Sequence, residues 1–210
     1  MNTPFDEALT RYEQRAERDR EIMRTLQPAE FGARRDEFLL HVGEEVARFL
    51  HALIVARGAK RLVELGSSYG YSTLFLADAA RRTGGRLMSF EIDSSKQRHA
   101  RGEIEAAGLG GSVEWYLGDA VQLLRGIEPP IDFVLVDLWK DLYVPCFEVF
   151  YPKLGDNAII AADNMLEPRY VRPEAEAYRA AVRSKSDLQS ALLPIGNGIE
   201  LSCVWRKPPD

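Results

Sequence analysis

The chain has 210 residues, a formal net charge of −5 and a sequence pI of about 5.4, with 46% hydrophobic and 28% charged residues. That balance is ordinary for a globular protein with one sizeable core, and the acidic sign disfavours wholesale nucleic-acid binding. No apolar run approaches the ~20 residues needed to span a bilayer, and the N-terminus MNTPFDEALTRYEQRAERDR lacks a signal-peptide core. A cytoplasmic protein without nucleic-acid or membrane partners is therefore expected. Cys146 and Cys203 show no metal spacing and no disulfide framework, so both are read as structural thiols.

In chain order, Phe5, Leu9, Tyr12, Ile22, Met23 and Leu26 lie among charges of both signs over residues 5–27, predicting one or two amphipathic helices. Residues 1–36 are read as a helical cap or arm on a domain of residues 37–210; periodicity alone does not choose between a cap, a lid and a dimer arm. Pro28 to Gly32 is read as a helix break. From Glu37 to Ala56 the pattern predicts a helix with Val46, Phe49, Leu50, Leu53 and Ile54 on one face. His41 and His51 have no third ligand in register and read as packing or surface histidines. Lys60–Leu65 is a strand that runs into GSSYGYS and a helix over Thr73–Arg82. Arg86–Phe90 is a second strand, ending in Glu91-Ile92-Asp93, before a helix over Ser95–Ala107. Val113–Leu117 is a third, ending in Gly118-Asp119-Ala120 and a short helix to Leu124. Apolar runs Phe133–Val136 and Ala158–Ala162 follow, then a helix over Glu174–Ser184. Leu188–Leu193 and Ile199–Arg206, joined through Asn197-Gly198, predict an antiparallel pair. The sum is an α/β domain of seven strands, mostly parallel, with an antiparallel finish.

In such a sheet, ligands bind beyond the carboxyl ends of the strands. Gly66 and Gly70 let backbone approach a ligand closely, and Glu91 stands where an acid can take both hydroxyls of a ribose. GSSYGYS is not GxGxxG, and Tyr69 and Tyr71 crowd the place of a pyrophosphate, so S-adenosylmethionine fits better than a dinucleotide. Asp137, Asp163 and Asn164 end the two apolar runs, an all-oxygen set suited to a hard cation such as Mg²⁺. Lys140 follows Asp137 and would stand beside whatever the metal holds. Singly, each residue has a plainer role: a helix cap at Asp137, turn chemistry at Asp163-Asn164, a solvated amine at Lys140. A nicotinamide-dependent oxidoreductase and a non-catalytic cofactor-binding protein are the rival classes.

The segments VELGSSYGYSTLFLA, FEID, VLVDLWKDLYVP and AADNM together resemble the metal-dependent, S-adenosylmethionine-using small-molecule O-methyltransferases over residues 37 to 206. The catechol O-methyltransferases are the nearer group and the caffeoyl-coenzyme A O-methyltransferases the broader one. The resemblance implies a Rossmann-like class I methyltransferase fold that moves a methyl group to a hydroxyl of a catechol-like phenolic small molecule. Asp137, Asp163 and Asn164 would hold the metal, and Lys140 would take the hydroxyl proton. Val42, Glu64, Gly66, Gly70, Ser72, Glu91, Ala120 and Asp137 would line the cofactor. Trp139 and Pro168, with Phe38 in place of a tryptophan, would join Lys140 and Asn164 around the substrate. Ser190-Ala191-Leu192-Leu193 departs from the catechol pattern, which has an acid there for the second substrate hydroxyl.

Overall fold

The computed structural model describes residues 3–168 and 172–206; residues 1–2, 169–171 and 207–210 of the expected cap and domain lie outside them. Its centre is a seven-stranded sheet of order β3-β2-β1-β4-β5-β7-β6. The strands are β1 (Arg61–Leu65), β2 (Arg86–Glu91), β3 (Val113–Leu117), β4 (Ile131–Val136), β5 (Leu154–Ala162), β6 (Leu188–Leu193) and β7 (Ile199–Val204). β1 to β5 pair in parallel, while β7 runs antiparallel to both β5 and β6. The helices are α1 (Pro4–Thr25), α2 (Pro28–Arg34), α3 (Glu44–Arg57), α4 (Tyr71–Thr83), α5 (Ser94–Ala106), α6 (Ala120–Leu124), α7 (Tyr143–Phe150) and α8 (Arg172–Arg183).

Apolar side chains that alternate along the strands feed two cores, one on each face. Leu62, Leu87, Phe133, Leu135, Ala161 and Ile199 pack with α1, α3 and α4. Val63, Phe90, Val134, Val136, Ile160 and Ala162 pack with α6, α7 and α8. The central strands are apolar on both sides because both faces are covered. Among the described residues no helix is long and apolar enough to cross a membrane.

Two sequence expectations are corrected. Pro28 does not merely break a helix; it opens α2 at its first position, with Gln27 and Glu30 closing a reciprocal cap. Proline has no N–H to lose there and its φ is preset for a helix. The helix expected from Glu37 begins only at Glu44. Gly43 has φ of 87°, which an α-helix cannot continue, and Phe38, Leu39 and Val42 are buried from an irregular segment. The helix α7 has no counterpart in the sequence reading; its Tyr143, Cys146, Phe147 and Phe150 are all buried in the second core.

The register aligns the site. Leu65 pairs with Val136 and Val136 with Ala162, so Gly66, Asp137 and Asp163 each begin a loop at one level. The ladder continues one bond further: the Asp137 N–H donates to the Leu65 carbonyl at 2.9 Å and the Asp163 N–H to the Val136 carbonyl at 3.1 Å. Gly66, at φ of 94°, leaves no room for a side chain, since a Cβ there would lie 2.3 Å from the Asp137 carbonyl oxygen. Replacing Gly66 with Ala is expected to cost about 2–4 kcal/mol, from left-handed backbone strain plus a backbone clash. Urea unfolding measures it, and an unchanged midpoint would contradict the packing described.

Candidate active site at the carboxyl ends of the strands

The first half of the site is the loop between β1 and α4. Gly66 and Ser67 both donate their N–H groups to the Phe90 carbonyl, at 3.0 and 3.1 Å, and Gly70 donates to the Ser67 carbonyl at 2.8 Å. A Cβ on Gly70 would meet the Tyr12 hydroxyl at 2.7 Å and the Ala100 Cβ at 2.8 Å, so the loop can be this tight only with glycine. Beneath it lies Glu64, fully buried, accepting hydrogen bonds from the hydroxyls of Ser72, Thr73 and Ser89, each at 2.7 Å. Glu64 therefore ties β1, the first turn of α4 and β2 together, and Ser72 serves it from the helix. Glu91 ends β2 with one carboxylate oxygen accepting from the Ser68 N–H at 2.7 Å and the other from Ile92 and Asp93 at 2.8 and 2.9 Å. Ala120 opens α6, which Asp119 caps, and is nearly buried beside the same edge.

The N-terminal helix closes over this loop. The Tyr12 hydroxyl donates to the Tyr69 carbonyl at 2.8 Å, and the Arg15 guanidinium lies 3.6 Å from the centre of the Tyr69 ring. The Tyr69 hydroxyl in turn donates to the Asp36 and Glu37 carbonyls, and Lys96 pairs with Asp36 at 2.7 Å. Val42 is buried against the first core, where the ring of its neighbour His41 lies tilted against Tyr71 with ring centres 4.3 Å apart.

The second half lies beyond β4 and β5. The Lys140 ammonium donates to the Asn164 side-chain oxygen at 2.7 Å and to the Leu138 carbonyl at 3.3 Å, contacts the Tyr143 hydroxyl, and stands 3.7 Å from Asp137. The Tyr143 hydroxyl in turn donates a hydrogen bond to the Asp163 carbonyl at 3.2 Å. Asn164 adopts the left-handed region, at φ of 57°, which asparagine tolerates and which brings its amide back toward Lys140. Burial lowers the pKa of Lys140 against the pull of Asp137 and Asp163. Burial raises that of Asp137, and raises Asp163 to about 7 with the charge of Asp137 adding to it.

Among the described residues, three buried side-chain polar atoms lack a hydrogen-bond partner, and Asp163 Oδ1 and Ser67 Oγ are two of them, one in each half of the site. An unsatisfied buried acceptor costs roughly 1–3 kcal/mol. A cation beside Asp163 Oδ1 would remove that cost, and with Asp137 and Asn164 it would have the oxygen donors that suit Mg²⁺. No group of three or more His, Cys, Asp or Glu side chains is placed to hold a metal among the described residues; the donors gathered here are two carboxylates and one amide.

Of the residues expected around the acceptor, Trp139 is 44% exposed, Pro168 is half-buried, and Phe38 is buried and stacked on Phe31 with ring centres 6.1 Å apart. Residues Ser190–Leu193 belong to β6, at the sheet edge beyond β7. An acid does occur on the adjoining strand: Glu200 pairs in register with Ala162 and Leu192. Its carboxylate, however, is fully buried and held by Arg183 at 2.7 Å and Arg179 at 3.2 Å, both on α8. Tyr143 has no role that the sequence alone assigns. Tyr143 closes the D-L-W-K-D-L-Y segment, three residues after Lys140 and so about one helical turn from it, which is the one local signal for it.

These features define a class I methyltransferase fold: the sheet order, the antiparallel β7 and a ligand edge at the β1–β4 crossing. The chain matches the O-methyltransferase family model over residues 13–204 and belongs to that family. It is 30% identical over 139 residues to a catechol O-methyltransferase of Niastella koreensis, covering 64% of this chain and 62% of that one. It is 28% identical over 205 residues to caffeoyl-CoA O-methyltransferase 2 of Zea mays, covering 88% and 76%. The match spans about half, 51%, of the bovine catechol O-methyltransferase. Among solved structures, the O-methyltransferase TomG of Streptomyces achromogenes, involved in tomaymycin synthesis and bound to SAM, superposes with a TM-score of 0.76 at 25% identity, covering 96% of this chain and 91% of that one. Membership of this family leaves the nicotinamide-dependent oxidoreductase reading without support.

Burial raises the pKa of Glu64 to about 7, against the lowering effect of its three hydroxyl donors. Because the folded value exceeds the unfolded one, the stability linked to this group is fully present below about 4.5 and is lost as pH rises through about 7. A Glu64→Gln variant is expected to flatten that loss, by on the order of 3 kcal/mol between the two limits. Chemical unfolding of both proteins from pH 4.5 to 8 reads the difference, and parallel curves would contradict it.

Proposed function

We propose that the chain is an S-adenosylmethionine- and divalent-metal-dependent O-methyltransferase acting on a hydroxyl of a vicinal diphenol. The observation that carries this reading is the grouping of the Lys140 amine with Asn164, Asp137 and the unpartnered Asp163 oxygen, one loop away from Gly66–Gly70. The names of the relatives support the acceptor class, since catechol and the caffeoyl group share a vicinal diphenol.

S-adenosylmethionine supplies the methyl group on a sulfonium, which keeps the electron pair of the breaking carbon–sulfur bond and leaves as a neutral thioether. The loop of Gly66–Gly70, with Glu91 and Ala120 at the neighbouring strand ends and Val42 from the cap, would hold it. A divalent cation held by Asp137, Asp163 and Asn164 would supply positive charge that stabilises a phenolate. A phenol of pKa near 10 is mostly protonated at neutral pH, so a base is required. Lys140 would meet that need: burial favours its neutral form, and Asn164 and Tyr143 hold its nitrogen beside the residues proposed for the cation. Tyr143 keeps the amine from swinging away, because its own hydroxyl is anchored on the Asp163 carbonyl. Trp139 and Pro168 would flank a flat ring and keep water off it.

Lys140→Ala is expected to lower kcat by about 10²–10⁴-fold, the usual contribution of a positioned base. Calorimetric affinity for S-adenosylmethionine should change little. Asp163→Ala should remove stimulation by Mg²⁺ while still binding S-adenosylmethionine. Transfer of labelled methyl to a panel of vicinal diphenols, with Mg²⁺ and with EDTA, tests the reading; equal transfer in EDTA would refute the metal assignment.

A further inference from the structure

Tyr69 belongs to the Gly66–Gly70 loop by its backbone but leaves it by its side chain. Its carbonyl accepts from the Tyr12 hydroxyl at 2.8 Å, whereas its own hydroxyl donates to the Asp36 and Glu37 carbonyls at 3.1 and 3.3 Å. Residues 36–42 run from a single 3₁₀ turn into irregular backbone, which has no helix or sheet ladder to satisfy its polar groups. Side chains of α1 join Tyr69 in that task. Arg15 donates to the Glu37 carbonyl at 3.2 Å while lying over the Tyr69 ring. Asp19 accepts from the Leu39 N–H at 2.8 Å and pairs with Arg15 at 3.5 Å. Lys96, on α5, adds an ion pair to the Asp36 carboxylate at 2.7 Å. The segment fastened in this way carries Phe38 and Val42, both buried. Val42 and the Gly66–Gly70 loop are both proposed above to hold the methyl donor, and the Tyr69 hydroxyl ties one to the other.

We propose that residues 36–42 act as a clasp on the methyl donor, and that the Tyr69 hydroxyl fastens this clasp to the donor loop. Tyr69 is then a positioning residue: it acts through Val42 and the loop, and it sets how long the donor stays. The inference rests on the donor half of the reading above and is independent of the metal and of the acceptor.

The test follows release of S-adenosylhomocysteine by stopped flow, together with amide hydrogen exchange of residues 36–42 and 66–72. Tyr69→Phe keeps the ring beneath Arg15 and removes only the hydroxyl. It is expected to release the ligand about five- to tenfold faster, the effect of about one hydrogen bond. Asp19→Ala cuts the same clasp from α1, outside the donor loop, and should shift release in the same direction. In the wild type, S-adenosylhomocysteine should slow exchange in both segments together. In Tyr69→Phe the loop should stay protected while residues 36–42 return to their ligand-free rate, an uncoupling that a general loss of stability would not produce. Release within twofold of wild type in Tyr69→Phe overturns the proposal, and so does faster release with residues 36–42 still protected. No binding of S-adenosylhomocysteine by the wild type would refute the donor reading itself, and the clasp with it.

Discussion

The site depends on a backbone contact at the crossing between β1 and β4. Gly66 rests against the Asp137 carbonyl so closely that no side chain fits, and the Asp137 N–H in turn bonds the Leu65 carbonyl. This contact welds the loop proposed for the methyl donor to the first residue proposed for the metal. Neither half can shift without the other, because both are continuations of one hydrogen-bonded ladder. β5 extends the same logic by one strand and delivers Asp163 and Asn164 at the same level. Chemistry that needs two reactants held at attack distance gains most from a rigid join of this kind.

Around that join, several ionisable groups are buried. Glu64 is satisfied by three hydroxyls and Glu200 by two arginines, so both act as ties within the scaffold. Asp137, Lys140 and Asp163 differ: they perturb one another, and one Asp163 oxygen has no partner at all. Clusters of mutually perturbed groups in a cleft are where function concentrates. Glu64 is satisfied within the fold, whereas one oxygen of Asp163 is left for the cation proposed there.

Much of this was legible in the sequence where it is local. Apolar runs such as Phe133–Val136 announced strands buried on both faces, and the residues just after them announced the site edge. The antiparallel β6–β7 pair was signalled by Asn197-Gly198. What was not legible came from distant pairings. Nothing near Arg35 in sequence indicates that its guanidinium lies on Trp139. The irregular run from Phe38 to Val42 looks helical by composition, and only the fit of Phe38, Leu39 and Val42 into the protein, with the left-handed Gly43, makes it otherwise. Tyr143 was visible as part of a motif, but its role appears only once α7 places its hydroxyl between Lys140 and Asp163. Glu200, in the last strand, could be assigned to the scaffold only when Arg179 and Arg183 were seen to hold it.

The central claim is that the ends of β4 and β5 form a cation site facing the Gly66–Gly70 loop. Crystals grown with Mn²⁺ and S-adenosylhomocysteine, measured for anomalous scattering, test it directly. The account predicts one strong peak within coordination distance of Asp137, Asp163 and Asn164, on the side toward the loop. A peak at other residues, or none at full occupancy of the S-adenosylhomocysteine, would contradict it.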